Sequence, residues 1–345
     1  MSSPNMSMIS TIFSIQQQIA RYVYPIYLVF GVTGCCLNIL LLIRRQFRTV
    51  SCCIYFTAAS VAMLINLIMG TGAAIYALNH VDPNLTILAF CKMRIYILQS
   101  SSMMYRWCLA VACFDRVAIS SNNVRLRNFA KVHIACRFIF IIVIIWLILP
   151  VHLLIFYNLY GGGCGIFFSF TIALYHSIFT TVAGGVLPVM IMIICALFIH
   201  HNLGLKRQRR EKNNGQTFDK RNIKQNLQRK RDRQVLLMLF VQVAVYSILI
   251  APLMVVYFYN AVTLNIVNKS PQRLAIERLA QFVGESLIYL FSVLSFYIYT
   301  MVSRSYRGEL IKILRSIMTC KWYCSNHRIE PIINDTAQRQ IAPTL

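Results

Sequence analysis

Long apolar segments alternate with short polar ones along the chain. Seven apolar segments reach the roughly 20 residues, about 30 Å of α-helix, that a bilayer crossing needs. Their apolar residues follow one another without strand-like alternation, which favours helices over a β-barrel. The fifth segment exceeds one crossing, so its first turns are predicted to stand clear of the membrane. The pattern predicts spans near residues 22–43, 53–78, 95–119, 138–157, 166–199, 235–260 and 279–301.

The composition indicates that lipid is the main environment of the chain. Hydrophobic residues make up 58% and charged residues 13% of the sequence, whereas soluble proteins carry about a quarter charged residues. Lipid offers no hydrogen bonds to the backbone, so a spanning segment must satisfy its own polar groups, as a helix does. We therefore predict an all-α fold, a seven-transmembrane helix bundle.

The basic residues are distributed unevenly between the polar segments. If the N-terminus lies outside, segments 44–52, 120–137, 200–234 and 302–345 face the cytoplasm and hold 26 of the 34 Lys and Arg residues. The outer segments hold six. This excess follows the positive-inside rule and predicts an extracellular N-terminus and a cytoplasmic C-terminus in the plasma membrane. It also explains the net charge of +24 without nucleic acid, since basic inner loops face anionic lipid.

The same reading divides the chain into three parts. Residues 1–21 form an extracellular N-terminal segment, residues 22–301 the membrane domain, and residues 302–345 a cytoplasmic tail. The basic loop 200–234 is polar and is predicted to extend the fifth and sixth helices. In the tail, apolar and basic residues alternate at helical spacing, which predicts an amphipathic helix over 304–318 on the inner leaflet.

Four residues are candidates for covalent modification. Asn5 and Asn84 begin Asn-X-Ser/Thr triplets in the outer segments and are predicted glycosylation sites, although such triplets also arise by chance. Cys320 and Cys324 follow the amphipathic helix. They are candidates for palmitoylation, which would add a second membrane anchor, or are free thiols.

The third span carries two landmarks. Cys91 precedes it on the outer side, and Asp115-Arg116-Val117 closes it on the inner side. Twenty-five residues separate Cys91 from Arg116, about 38 Å of helix and one membrane crossing. This arrangement resembles the third helix of rhodopsin-like (class A) G-protein-coupled receptors, in which Asp-Arg-Tyr is the commonest form of the motif.

The other spans resemble this family to different degrees. One landmark residue per helix stands where the family keeps its own: Asn38, Trp146, Pro188 and Pro252 in the first, fourth, fifth and sixth helices. The second span lacks the family's Asp, with Met63 or Asn66 at that position. Ile250 replaces the usual Trp, and Tyr299 alone remains of the Asn-Pro-x-x-Tyr motif. The resemblance is that of a divergent member.

The resemblance implies roles for residues on the inner side. Asp115, Arg116 and Val117 would couple the bundle to a heterotrimeric G protein, together with Tyr299. Arg116 can pair with the neighbouring Asp115 and with Asp232, at the base of the sixth helix. Asp232 would hold Arg116 in the resting state, or is a solvated acid neutralised by the arginines around it.

The location of the cysteines predicts one disulfide. Cys164 lies in the outer loop before the fifth span, while the cysteines other than Cys91 lie inside spans or on the reducing side. A Cys91–Cys164 bond follows by elimination, and the family has one there. Two free outer thiols are the alternative.

Ionisable residues inside the membrane are costly and therefore point to function. Arg106 is predicted near mid-membrane, in a structural pair or with local polar partners. Glu285 lies in the outer half of the seventh helix, where a carboxylate suits a cationic or amine-bearing ligand. The candidate ligand site comprises Leu98, Ser102, Arg106, Glu285 and Tyr289. Tyr289 stands where opsins carry the retinal lysine, so light sensing is disfavoured.

The predicted function is that of a receptor rather than an enzyme. The spans lack the paired carboxylates that an intramembrane aspartyl protease needs, and no interrupted helices or inverted repeats suggest a transporter. We predict a receptor for an extracellular peptide or small molecule, with lipid and a G protein as partners and no metal or cofactor. A non-coupling decoy or scaffold relative is the main alternative, and a transporter a weaker one.

Overall fold

The computed structural model describes residues 3–121, 123–160, 163–166, 169–212, 220–263, 266 and 269–318. Within these ranges, the side chains of residues 3–6, 46, 203–212, 220–233, 314 and 316–318 are outside the description. Tail residues Cys320 and Cys324 lie outside the described part, and so do the side chains of Asn5 and Asp232.

Eight principal helices make up the described part of the chain. Helix α5 covers residues 170–212. It consists of Phe170–Thr181, a π-helical turn at Val182–Val186, and Leu187–Lys212. The others are α1 Ser3–Leu42, α2 Ser51–Tyr76, α3 Leu88–Ser120, α4 Val132–Phe156, α6 Lys220–Val262, α7 Pro271–Val302 and α8 Arg304–Met318. Short helices occupy the connections at Arg45–Arg48, Pro83–Thr86 and Val124–Phe129.

Six of the helices are long and apolar enough to cross a membrane: α1, α2, α4, α5, α6 and α7. The exception is α3, whose middle carries Gln99, three serines and Arg106. This helix contacts α2, α4, α5 and α6, so its polar groups face protein rather than lipid. The predicted seven-helix membrane bundle is therefore confirmed, with its most polar helix at the centre.

The helices extend beyond several of the predicted spans. Helix α1 begins at Ser3, whereas the predicted first span begins at residue 22. No helix-breaking residue lies between Pro4, which a first turn tolerates, and Pro25, so each added residue gains a hydrogen bond. Helices α5 and α6 continue into the basic loop as predicted, to Lys212 and from Lys220. The tail helix covers Arg304–Met318, and its place on the inner leaflet stays a prediction.

Two features of the backbone were not predicted. Strands β1 (Asn158–Tyr160) and β2 (Gly163–Gly165) form an antiparallel hairpin between α4 and α5, with Leu159 opposite Cys164. In addition, α2 contains a π-helical turn at Ile68–Gly72, like the one in α5. A π-turn breaks the regular ladder and leaves carbonyl groups available to other donors.

Candidate functional site

The predicted disulfide between Cys91 and Cys164 is present, with a Cα–Cα distance of 6.0 Å. It joins the hairpin to the start of α3 and defines what we call the disulfide end of the bundle. The opposite end is called the Arg116 end. Tyr157, just before the hairpin, is partly buried at the disulfide end, and desolvation raises the pKa of its phenol to about 12. Tyr157 is therefore a neutral hydrogen-bonding group at neutral pH.

A cavity of about 300 Å³ opens between the helices below the hairpin. Its wall includes all five residues predicted for the ligand site: Leu98, Ser102, Arg106, Glu285 and Tyr289. That these residues bind a ligand stays a prediction, but the fold brings them to one place. Its volume is at the lower end of the range for small-molecule pockets.

Sequence reasoning missed several polar residues of the same cavity. Arg94 and Gln281 could have been found from helical spacing, because they lie four residues before Leu98 and Glu285 and so share their faces. The residues from other helices carried no such signal. They include Asn66, His176, Tyr257 and Asn260.

Glu285 faces the cavity with an amide as its partner. The Nε2 of Gln281 donates a hydrogen bond to Oε1 of Glu285 at 2.9 Å. Among the described residues, no Lys, Arg or His nitrogen lies within ion-pair distance of this carboxylate.

Arg106 is bound by the backbone of α5. Its Nη1 donates to the carbonyl of Gly184 at 2.9 Å, and its Nε lies 3.5 Å from the Tyr105 hydroxyl. Trp107 uses the same π-turn, donating to the Ala183 carbonyl at 2.9 Å. Arg106 therefore has local polar partners, one of the two predicted possibilities. The structural ion pair does not occur within the described residues.

Arg94 is bound in the same manner by the π-turn of α2. Its Nε and Nη2 donate to the carbonyls of Met69 and Gly70 at 3.2 and 3.3 Å. Each π-turn therefore positions an arginine of α3 through neutral carbonyl groups. Neutral partners orient a guanidinium without cancelling its charge.

Asn66 forms a polar contact between α2 and α3. Its Nδ2 lies within hydrogen-bond distance of the Leu98 carbonyl and of the hydroxyls of Ser101 and Ser102, at 2.9–3.2 Å. Its Oδ1 is buried without a partner in the described part of the chain. Met63, the other residue considered for the family's acid, is fully buried in the core.

Two histidines bridge α4 and α5 beside the cavity. Nδ1 of His152 lies 3.0 Å from the Leu149 carbonyl, which only accepts, so this nitrogen carries the proton. When both rings are neutral, Nε2 of His152 accepts from Nδ1 of His176 at 3.2 Å. His176 then keeps its Nε2 as an acceptor.

At the Arg116 end, Arg116 is neutralised by its neighbour. Its Nη2 lies 2.6 Å from Oδ2 of Asp115 and donates to Oγ of Ser51 at 3.1 Å. The Ser51 hydroxyl in turn donates to Asp115 at 2.8 Å. Arg116 and Asp115 are 2% and 4% exposed, so this ion pair is buried between α2 and α3. Val117 packs beside it against the core.

Tyrosines connect α7 and α8 to the same end. The Tyr299 hydroxyl donates to the Gln242 side chain of α6, and the Tyr306 hydroxyl donates to Asn38 of α1. The rings of Tyr299 and Tyr306 are 5.9 Å apart. Glu309 of α8 lies 3.3 Å from Arg44. Helix α8 is thus joined to the bundle by both polar and aromatic contacts.

The other residues singled out in the sequence lie in the helices and in one short connection between them. The Trp146 ring packs 5.6 Å from Trp107 on α3. Pro188 follows the π-turn of α5, and Pro252 lies inside α6. Asn84 is half-buried in Pro83–Thr86, with its backbone N–H bonded to Asp82, and its glycosylation stays a prediction.

The model of the seven-transmembrane receptor (rhodopsin) family matches residues 36–299. The chain belongs to this family. The match begins within α1 and ends at Tyr299, so it includes the cavity, the disulfide and the Asp115–Arg116 pair. A comparison with curated proteins finds no match. The receptor is accordingly a multi-pass membrane protein of this family.

Proposed function

We propose that the receptor binds an extracellular ligand in the cavity and transmits the signal to a heterotrimeric G protein. The disulfide end then faces outward in the plasma membrane and the Arg116 end faces the cytoplasm, as the distribution of basic residues favours. One observation carries the proposal: α3 both contributes to the wall of a polar cavity toward the disulfide end and carries, at its other end, the buried Arg116.

The proposed mechanism is an equilibrium between two arrangements of the bundle. Ligand favours the arrangement in which α6 moves outward about Pro252, and Arg116 leaves Asp115 and Ser51 to contact the G protein. A ligand shifts this equilibrium only by its different affinities for the two arrangements. Tyr299 contributes because its hydroxyl joins α7 to Gln242 on α6.

The test is a comparison of Arg116→Ala with Arg125→Ala, an exposed arginine at the same end. A ligand library is screened on cells expressing the wild type, with G-protein dissociation as the readout. Arg116→Ala should reach the surface and lose most ligand-driven activation, whereas Arg125→Ala should keep it. Undiminished signalling by Arg116→Ala at matched expression would show that the proposed coupling mechanism is wrong.

A second candidate is a receptor that binds ligand without coupling. It is favoured by Ile250, which is buried in α6 where the family has Trp, and by Phe296 in place of the usual Pro in α7. Ligand binding without G-protein activation by the wild type would support this candidate.

A further inference from the structure

Charges of both signs line the cavity, and their partners are neutral. Glu285 accepts from an amide, while Arg94 and Arg106 donate to backbone carbonyls. Within the described part of the chain, none of the three forms a direct ion pair, and Glu285 lies in the electrostatic field of Arg94 beyond ion-pair distance. A charge held in protein without a direct ion-pair partner is unfavourable. The cavity therefore favours a ligand that brings a cation and an anion.

The charges lie at different depths. The Arg94 guanidinium bonds to the carbonyl of Gly70 in α2. The Tyr289 hydroxyl lies beside the same glycine, since a Cβ added to Gly70 would be 2.3 Å from it. The side chains of Arg94 and Tyr289 therefore reach α2 at the same depth. Glu285 is one turn from Tyr289, toward the disulfide end. Arg106 lies twelve residues beyond Arg94 along α3, about 18 Å of helix. Its side chain leans toward the N-terminus of α3, which shortens this separation without removing it.

The wall between these levels is partly apolar. Arg94, Leu98, Ser102 and Arg106 recur every four residues and all line the cavity, so they form a slowly turning stripe of α3 with a cation at each end. Leu253 and Ile288 add apolar surface from α6 and α7. An apolar spacer between two charged groups matches this wall.

From this geometry we propose that the ligand is an elongated zwitterion, an ω-amino acid or a similar molecule. Its ammonium group binds Glu285 and its carboxylate binds Arg106, while its methylene chain lies along Leu98. The guanidinium of Arg106 has five N–H donors, and its described bonds engage only Nη1 and Nε, so donors remain for a carboxylate. This inference rests on the proposed ligand cavity and names the chemical class that the cavity selects.

The first experiment measures binding without any G protein. Purified full-length receptor is titrated with ω-amino acids from glycine to 8-aminooctanoate, and with the alkylamine and the alkyl carboxylate of each length, while thermal unfolding is followed. We expect the affinity to peak at an intermediate chain length. At that length the zwitterion should bind at least about tenfold more tightly than either single-charge compound.

Substitutions then assign each charge. In Glu285→Gln, the zwitterion should bind no more tightly than the alkyl carboxylate of the same length. In Arg106→Gln, it should bind no more tightly than the alkylamine of the same length. Arg106→Lys keeps the charge and should restore part of the affinity. Glu277→Gln is the matched control, because this carboxylate of α7 binds Lys269 and Arg273 outside the cavity. It should leave zwitterion affinity unchanged.

Each outcome bears on the inference separately from the proposed function. Zwitterion binding with the expected length profile supports the inference even if no G protein responds. Binding that is equal for zwitterions and alkylamines, a preference for glycine, or no binding of any zwitterion overturns it. G-protein activation by a singly charged ligand acting through the cavity would keep the proposed function and exclude the zwitterion.

Discussion

Arg106 and Arg116 lie on the same helix, both almost wholly buried, and differ in the kind of partner they have. Arg106 bonds to a carbonyl and a hydroxyl, whereas Arg116 bonds to the carboxylate of Asp115. The charge of Arg116 is therefore neutralised within the bundle, and its release requires that an ion pair be broken. The charge of Arg106 is oriented but not neutralised, which suits an arginine that recognises a ligand.

Single hydroxyls also join helices that are distant in sequence. Tyr306→Phe removes the hydrogen bond to Asn38 and leaves a buried amide oxygen without a donor. We expect a loss of about 1–3 kcal/mol in the free energy of unfolding, seen as a lower Tm in detergent. Tyr297→Phe is the control, since its hydroxyl has no described hydrogen bond, and it should leave the Tm nearly unchanged. Equal Tm values for both variants would contradict the assigned role of the Tyr306 hydroxyl.

At the scale of elements, the two π-turns orient two arginine side chains that line the cavity. Each turn contains glycine, and each offers carbonyl groups to an arginine of α3. A Cβ on Gly184 would lie 2.6 Å from the Met103 methyl and 3.0 Å from Nη1 of Arg106. The absence of a side chain at Gly184 therefore allows α5 to approach α3 closely enough for this bond.

Gly184→Ala should displace Arg106 and weaken ligand binding by about tenfold or more, with a Tm loss corresponding to about 1–3 kcal/mol. Binding to purified receptor and thermal unfolding are the measurements. Gly72→Ala is the matched control in the other π-turn, because its added Cβ would meet nothing within 4 Å. If Gly184→Ala retains wild-type affinity, the close approach does not position Arg106.

The hairpin and α3 are joined by the Cys91–Cys164 bond. Either Cys→Ala substitution should release the hairpin beside Tyr157 and lower surface expression or ligand binding. Surface labelling and binding on intact cells measure the effect, and Cys36→Ala, an exposed cysteine of α1, is the control. Full surface folding of both variants, with no disulfide found by mass spectrometry of the wild type, would refute this prediction.

At the scale of the whole molecule, the proposed signal is a change in the balance between two arrangements of seven helices. Contacts at the Arg116 end favour the arrangement described here: Asp115 and Ser51 bind Arg116, while Tyr299 joins α7 to α6. A further contact from Asp232 is predicted from the sequence alone. Its removal should therefore change the basal balance and leave the cavity unaffected.

Asp232→Ala should raise ligand-independent G-protein activation several-fold, because the substitution removes the carboxylate that the sequence predicts as a partner of Arg116. A difference of 1.4 kcal/mol between the arrangements would correspond to a tenfold change in their ratio. Basal activation is compared at matched surface expression with Glu211→Ala, an acid of the same loop. Basal activity equal to the wild type would identify Asp232 as a solvated acid.

The apolar pattern predicted seven helices, because each span must provide its own hydrogen bonds in lipid, and six of them are apolar enough to cross a membrane by themselves. The polar α3 depends on its neighbours in the bundle. Spacing along α3 identified the cysteine and the Asp115–Arg116 pair, and the repeat of four residues predicts a common face for Leu98, Ser102 and Arg106. The tail helix followed from its amphipathic pattern. These properties depend on local periodicity, which a single sequence contains.

Only the tertiary structure determined which groups from different helices meet. The partners of Arg106 and Arg94 are backbone carbonyls at π-turns, and a carbonyl leaves no signature in the residue type. The hairpin has strands of three residues, too short for a recognisable alternation. Asn66, His176 and Tyr257 join the cavity through helix packing, which depends on contacts between residues far apart in sequence.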